Sequence, residues 1–354
     1  MKRIVICADG TWNERDRFDP KTGTRRPTNV TKTARAVCTH DGAGVSQLTY
    51  YHPGVGTGGP LDQLTGGAFG AGMEHNIREM YRFIVYNHTP GDELYFFGFS
   101  RGAFTVRSLA GFIHFAGLVS KDEDYYVPDL FHCYASGAGP GSAAWNHLFV
   151  EPNRQGWPRL KDRRAQTPPI RFIGVWDTVG ALGPPGVLGQ VANWFNPARH
   201  SYHAVGLSPL IQHAAHALAI DENRVSFKPT LFDATGWPGQ LHQAWFAGVH
   251  TDIGGGYDYD DHANHALNWV LDHAKALGLV LDERYLGAFS RSRLEVPLHD
   301  SRQGVYRLLP CHWRPIGEQP GAQEQVHPSA LQRQQALADY RPTNLMQWLE
   351  RQPG

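Results

Sequence analysis

The chain has 354 residues, 41% of them hydrophobic, with 10 Trp, 14 Tyr and 17 Phe. That is enough apolar surface for a large core and points to one α/β domain with insertions. Lys+Arg and Asp+Glu balance at 33 each, so the overall charge gives no support for a nucleic-acid or polyanion binder.

Met1-Lys2-Arg3 sets basic residues before an apolar run, but the run reaches Asp9 too soon for a secretory leader. Arg3–Ala8 is therefore predicted as a buried strand, running into Asp9-Gly10-Thr11-Trp12-Asn13. A second strand is predicted over Gln47–His52, followed by the glycine-rich stretch Gly54-Val55-Gly56-Thr57-Gly58-Gly59. Ile77, Met80, Tyr81, Ile84 and Val85 recur at helical spacing within Met73–Asn87. Glu93–Phe99 is a third apolar strand, and Ala103–Leu118, with Phe104, Leu109, Phe112, Ile113 and Phe115, is again helical. Ile170–Trp176 is a fourth strand and Gln243–Val249 a weaker fifth. Continuous rather than alternating apolarity predicts a doubly wound, mainly parallel sheet covered on both faces.

Two stretches break this rhythm. Lys121–Pro169 is rich in Gly, Pro, Asp and aromatics, and Leu182–Ser208 contains Pro184-Pro185 followed by Trp194 and Phe195. Both are read as lid or cap insertions, the second as an apolar wall for an acyl chain. From Val296 the chain turns polar, with one or two surface helices expected in Leu331–Leu349. The expected organisation is a catalytic domain over residues 1–295 and a C-terminal extension, 296–354, packed on it. No apolar stretch is long enough for a membrane-spanning helix. A cytoplasmic protein is the default reading, and export by a machine that reads no N-terminal signal would leave the same trace. Cys7, Cys38, Cys133 and Cys311 show no CxxC spacing and are read as reduced, buried thiols rather than a disulfide framework or zinc site.

The chemistry centres on Gly98-Phe99-Ser100-Arg101-Gly102, a Gly-x-Ser-x-Gly turn between a strand and a helix. Such an elbow holds a serine oxygen clear of its own backbone, and the small residues Gly98 and Gly102 let strand and helix pass. A serine needs a base to take its proton and a third group to hold the base. In the α/β-hydrolase order these follow the nucleophile as acid, then histidine, each at a strand end. Asp177 follows the fourth strand and His250 the fifth. Ser100, Asp177 and His250 are thus the candidate triad. The backbone N–H groups of Arg101, Gly10 and Thr11 are the candidate oxyanion hole.

Each residue also has a plainer reading. Asp177 could cap the next helix, and any one of 19 histidines could be structural. Asp252 is a rival acid, but is read as fixing the glycine loop Gly254-Gly255-Gly256. Asp9 is read as accepting backbone hydrogen bonds in its turn. Asp9-Gly10-Thr11 also fits an aspartyl-phosphate phosphohydrolase, but Cys7 stands where that nucleophile would be. The run from Gly54 lacks the lysine and acidic residue of nucleotide sites and is read as an active-site loop. His262 and His265 near Asp258, Asp260 and Asp261 could bind a metal, and a solvated acidic loop is preferred. No cofactor and no metal are expected.

The motifs Asp9-Gly10-Thr11-Trp12-Asn13, Gly54-Val55-Gly56-Thr57-Gly58, Gly98–Phe104, Val175-Trp176-Asp177-Thr178-Val179 and Gly248–Tyr257 together resemble the DUF2235 α/β-hydrolases. That family includes the catalytic part of type VI secretion lipase effectors of the Tle1 class. The resemblance spans roughly residues 1–275. It implies a Ser-Asp-His hydrolase, with Ser100, Asp177 and His250 in those roles, and membrane glycerophospholipid as one substrate class. The expectation is a serine esterase or lipase acting on a small-molecule or lipid ester. The alternatives are a binding protein that keeps the fold, or an acyltransferase or amidase using the same nucleophile.

Overall fold

The computed structural model describes residues 1–10, 18–19, 23–54, 66–150, 159–180 and 206–352. Its strands in chain order are β1 (Arg3–Ala8), the short antiparallel pair β2 (Phe18–Asp19) and β3 (Thr24–Arg25), then β4 (Gln47–His52), β5 (Glu93–Phe99), β6 (Ile170–Trp176), β7 (His213–Ala219), β8 (Gln240–Phe246) and β9 (Glu324–Val326). Seven of them form one sheet in the order β4-β1-β5-β6-β7-β8-β9. Every neighbour in it is parallel.

Side chains alternate across the sheet, as a period of two requires. Ile4, Ile6, Leu94, Phe96, Ile173 and Val175 face one core. It is covered by α2 (Gly66–Asn87), α3 (Arg101–Ala116) and α4 (Val127–Ser136). Val5, Cys7, Tyr95, Phe97, Phe172 and Trp176 face the other, under α1 (Asn29–Ala36) and the long helix Asp261–Ala276. Burial on both faces explains why these strands read as continuous apolar runs.

Leu130, Phe131 and Tyr134 of α4 are buried in the first core. The first of the two insertions is therefore partly helical, holding α4 and α5 (Ala143–Phe149), and extends the core beside α2 and α3. The second insertion, with Pro184, Pro185, Trp194 and Phe195, lies outside the described residues apart from its last three positions, as does the glycine run beyond Gly54. The polar tail contributes β9 to the sheet, and Ile316, Ala322, Val326, Ala330 and Leu345 to a third core with Leu218, Ile220 and Trp245. Its helices are Pro328–Ala336 and Thr343–Glu350. Cys7 and Cys133 are buried, but Cys38 is half-buried and Cys311 exposed, so burial of all four thiols is corrected.

Among the described residues, no single helix is long and apolar enough to cross a membrane. The bent pair Arg101–Ala116 and Lys121–Ser136 is apolar enough in composition, and its apolar side chains fill the first core.

The chain leaves β1 for β4 on one side and returns to β5 on the other. The carboxyl ends at this reversal form the crevice where parallel sheets place ligands. Asp9, Ser100, Asp177 and His250 all follow strands at this edge, His250 after a turn of three residues, at the start of a short helix, α6 (His250–Gly254).

Candidate active site

Ser100 has φ 57° and ψ −123°, a conformation that costs a non-glycine residue about 1–3 kcal/mol and persists only where its surroundings enforce it. Those surroundings are on view. The Ser100 N–H donates to the Trp176 carbonyl at 3.0 Å. A Cβ on Gly98 would stand 2.6 Å from Ala103 Cα, and one on Gly102 would stand 2.2 Å from the Ala8 carbonyl oxygen. The two glycines therefore let α3 start directly against β1 and β5. Asp177, with φ 40°, is held in turn by its N–H to the Ala217 carbonyl at 2.7 Å.

The structure brings Ser100, His250 and Asp177 into one line. His250 Nε2 lies 2.9 Å from Ser100 Oγ, and His250 Nδ1 lies 2.5 Å from Asp177 Oδ2. Ser100 and His250 are nearly buried and Asp177 is fully so. The imidazole packs between the rings of Phe99, at 4.7 Å, and Phe227, at 5.0 Å. Its backbone N–H donates to Glu222 Oε2 at 3.3 Å, and Arg224 pairs with that carboxylate. Burial holds the His250 imidazole below its usual pKa, against the opposing pull of Asp177 and Glu222. Burial pushes the Asp177 carboxyl up, but the charge of Arg314 and the bond to His250 outweigh it and leave it well below the carboxylate range. At neutral pH this is a neutral base beside an ionised acid, the pairing that proton abstraction from a serine needs.

Asp252 takes no part in this line. Its Oδ2 accepts from the Val249 N–H at 3.0 Å, and its Oδ1 meets His299 Nδ1 at 2.5 Å. It thus fixes the turn into α6 and ties it to the tail. Asp9 is buried and accepts from Gly10 N at 2.8 Å, Thr28 Oγ1 at 2.5 Å, Thr31 Oγ1 at 3.1 Å and Tyr51 Oη at 2.9 Å. Burial nevertheless pushes its pKa up to about 6. One expectation needs correction: the Gly10 N–H donates to the Asp9 carboxylate, so in this conformation it is not aimed at an oxyanion. The Arg101 N–H sits in the first turn of α3, and Thr11 lies outside the described residues.

Of the five residues considered for a metal, four have other partners, while His265 Nε2 is buried without a hydrogen-bond partner among the described residues. His262 Nε2 meets the Val296 carbonyl at 2.9 Å, while Asp258, Asp260 and Asp261 pair with Arg26, Lys32 and Arg293. Among the described residues no group of three or more His, Cys, Asp or Glu is placed to hold a metal ion.

Sequence reading missed Arg314, Glu222, Phe227 and His299. Arg314 lies 137 residues from Asp177, and nothing in His312-Trp313-Arg314-Pro315 marks it.

The chain is 27% identical over 248 residues to an uncharacterized protein of Saccharomyces cerevisiae, covering 65% of this chain and 33% of that one. Among solved structures it resembles an uncharacterized protein from Pseudomonas aeruginosa, at 18% identity and TM-score 0.43, covering 79% of this chain and 46% of that one. It also resembles the Tle1 effector bound to the VgrG spike of the type 6 secretion system, at 20% identity and TM-score 0.38, covering 72% and 51%. The chain thus spans about a third of the yeast relative and about half of each of these solved chains. The family described as "T6SS, Phospholipase effector Tle1-like, catalytic domain" matches residues 2–273. The chain belongs to this family of Tle1-like phospholipase-effector catalytic domains.

Proposed function

We propose that this protein is a serine hydrolase that cleaves carboxylic esters, with lipid-like esters as its substrate class, through an acyl-serine intermediate. The observation that carries this reading is the hydrogen-bonded line Ser100–His250–Asp177, ending on a serine held in an elbow. Ser100 Oγ attacks the acyl carbon while His250 Nε2 takes its proton. The ester C–O bond then breaks, and His250 passes that proton to the leaving alkoxide. Water attacks the acyl-serine, giving one proton to His250, which returns it to Ser100 as the acid departs. Asp177 keeps Nδ1 protonated and stabilises the imidazolium. The Arg101 N–H and the first turn of α3 face the developing oxyanion. Gly10 can join them only by leaving the Asp9 carboxylate. The family's phospholipase effectors support a lipid ester as substrate.

A fluorophosphonate probe should label Ser100 in the wild-type chain and nothing in Ser100→Ala. A screen of esters across acyl lengths and head groups should lose several orders of magnitude in turnover with the same change. Adding His250→Ala should cost little more, because triad members act as a unit. Labelling of another residue with Ser100 untouched would overturn the assignment. Acyl transfer to an added alcohol in preference to water would make the protein a transferase.

A further inference from the structure

The carboxylate that holds His250 is itself gripped from behind. Arg314, 1% exposed, donates from Nη1 to Asp177 Oδ1 at 2.7 Å and from Nη2 to Oδ2 at 3.0 Å. The same two nitrogens also reach the Ala219 carbonyl at 3.0 Å and the Phe227 carbonyl at 2.5 Å. The Ala219 N–H adds a further bond to Asp177 Oδ1 at 3.0 Å. A planar fork on both oxygens fixes the rotation of a carboxylate in a way that a point charge cannot. Here that rotation decides where Oδ2 points, and Oδ2 is the atom that receives His250 Nδ1. The fork also ties the site to the loop carrying Phe227, whose ring packs on the imidazole.

We propose that Arg314 is a positioning residue of the triad: it fixes the Asp177 carboxylate and sets how strongly Asp177 draws a proton onto His250. This inference rests on the triad reading above. It places a working part of the site beyond residues 2–273, the segment that matches the catalytic-domain family.

Among the described residues, the charged and titratable groups that face His250 are Asp177 at the end of β6, Glu222 and Arg224 after β7, and Arg314 behind Asp177. Asp252 on its own helix is engaged by His299. Removing the Arg314 charge leaves two carboxylates facing the imidazole with less opposition, so the ring holds its proton to higher pH. Arg314→Met removes both fork and charge, whereas Arg314→Lys keeps the charge and loses the fork.

The test measures the rate at which a fluorophosphonate labels Ser100 in the full chain from pH 5 to 9, with thermal unfolding of each variant alongside. Arg314→Met should label on the order of 100-fold slower, the usual consequence of displacing a catalytic group by about 1 Å. Its acid limb should also move to higher pH. Arg314→Lys should slow labelling while leaving the limb near its wild-type position. Added guanidinium should restore part of the rate to Arg314→Ala. The proposal is overturned if folded variants label at the wild-type rate and pH dependence. It is equally overturned if, in every variant, the loss merely tracks the unfolded fraction. Absence of labelling at Ser100 in the wild type would instead remove the triad reading beneath it.

Discussion

Replacing Gly102 by alanine adds one methyl group where the structure leaves no room. The new Cβ would stand 2.2 Å from the Ala8 carbonyl oxygen, 2.4 Å from that of Asp9 and 2.6 Å from the Ala8 carbonyl carbon, where real contacts begin near 3.0 Å. All three atoms are backbone, so no side chain can swing aside. Roughly 0.8 Å of room must open between the start of α3 and the end of β1. Overpacking of this kind costs about 1–3 kcal/mol. The same movement carries Ser100, two residues away, out of line with His250, and a shift near 1 Å costs on the order of 100-fold in rate. Gly102→Ala should therefore lower the unfolding temperature and slow probe labelling of Ser100 more than the loss of folded protein explains. A variant that melts and labels like the wild type would refute the argument that this glycine permits the elbow.

Two further perturbations separate stability from chemistry. Burial pushes Asp221 up to about 6, despite its bonds from the Gly248 N–H and the Tyr340 hydroxyl. Its native pKa then lies above its unfolded value of about 4, so the native state keeps a proton that the unfolded chain releases, and stability falls as pH rises through this window. Asp221→Asn should remove that fall, which is worth up to about 3 kcal/mol, and unfolding midpoints at pH 4 and pH 7 that change equally in both proteins would refute it. His299, which meets Asp252 at 2.5 Å and stacks on Tyr257 at 3.7 Å, should act only through stability. His299→Ala should cost about 1–3 kcal/mol by leaving Asp252 short of a partner, while folded protein labels at an unchanged rate; slower labelling of the folded fraction would refute it.

The parts of the site that could be read from sequence share one cause. In a parallel sheet each strand ends at the same edge, so a polar residue directly after a buried apolar run is delivered there. This places Ser100 after Glu93–Phe99 and Asp177 after Ile170–Trp176. His250 is legible for a similar reason, although the apolar run before it extends past the end of its strand. β8 is Gln240–Phe246, not Gln243–Val249, because Ala247-Gly248-Val249 is the apolar turn into α6 and only looks like more strand. β7, between β6 and β8, carries no strand signal in the sequence because His213–Ala219 is mostly alanine, without the β-branched and aromatic residues that mark strands. Its extended form is imposed by its neighbours. β9 is three residues of the polar tail, too short to show any period. Arg314 and the direction of the Gly10 N–H depend on contacts that exist only after folding. Asp252, two residues from His250 on the same short helix, does not share its face, and its partner lies 47 residues further on.

The grip of Arg314 on Asp177 has a consequence for the order in which the protein is made. Synthesis from the N-terminus delivers Ser100 first, His250 150 residues later, and Arg314, the partner of Asp177, later still. Until residue 314 has emerged, the pocket around Asp177 either stays unformed or encloses a carboxylate without its counter-ion, which is strongly disfavoured. The closing strand β9 follows later again, and parallel pairings between distant segments form slowly. A nascent chain would thus carry Ser100 and His250 without a fixed Asp177 until Arg314 has emerged and docked. Under the proposed mechanism, ester cleavage would begin only once Arg314 has docked on Asp177, so activity would lag well behind the emergence of the segment that carries Ser100.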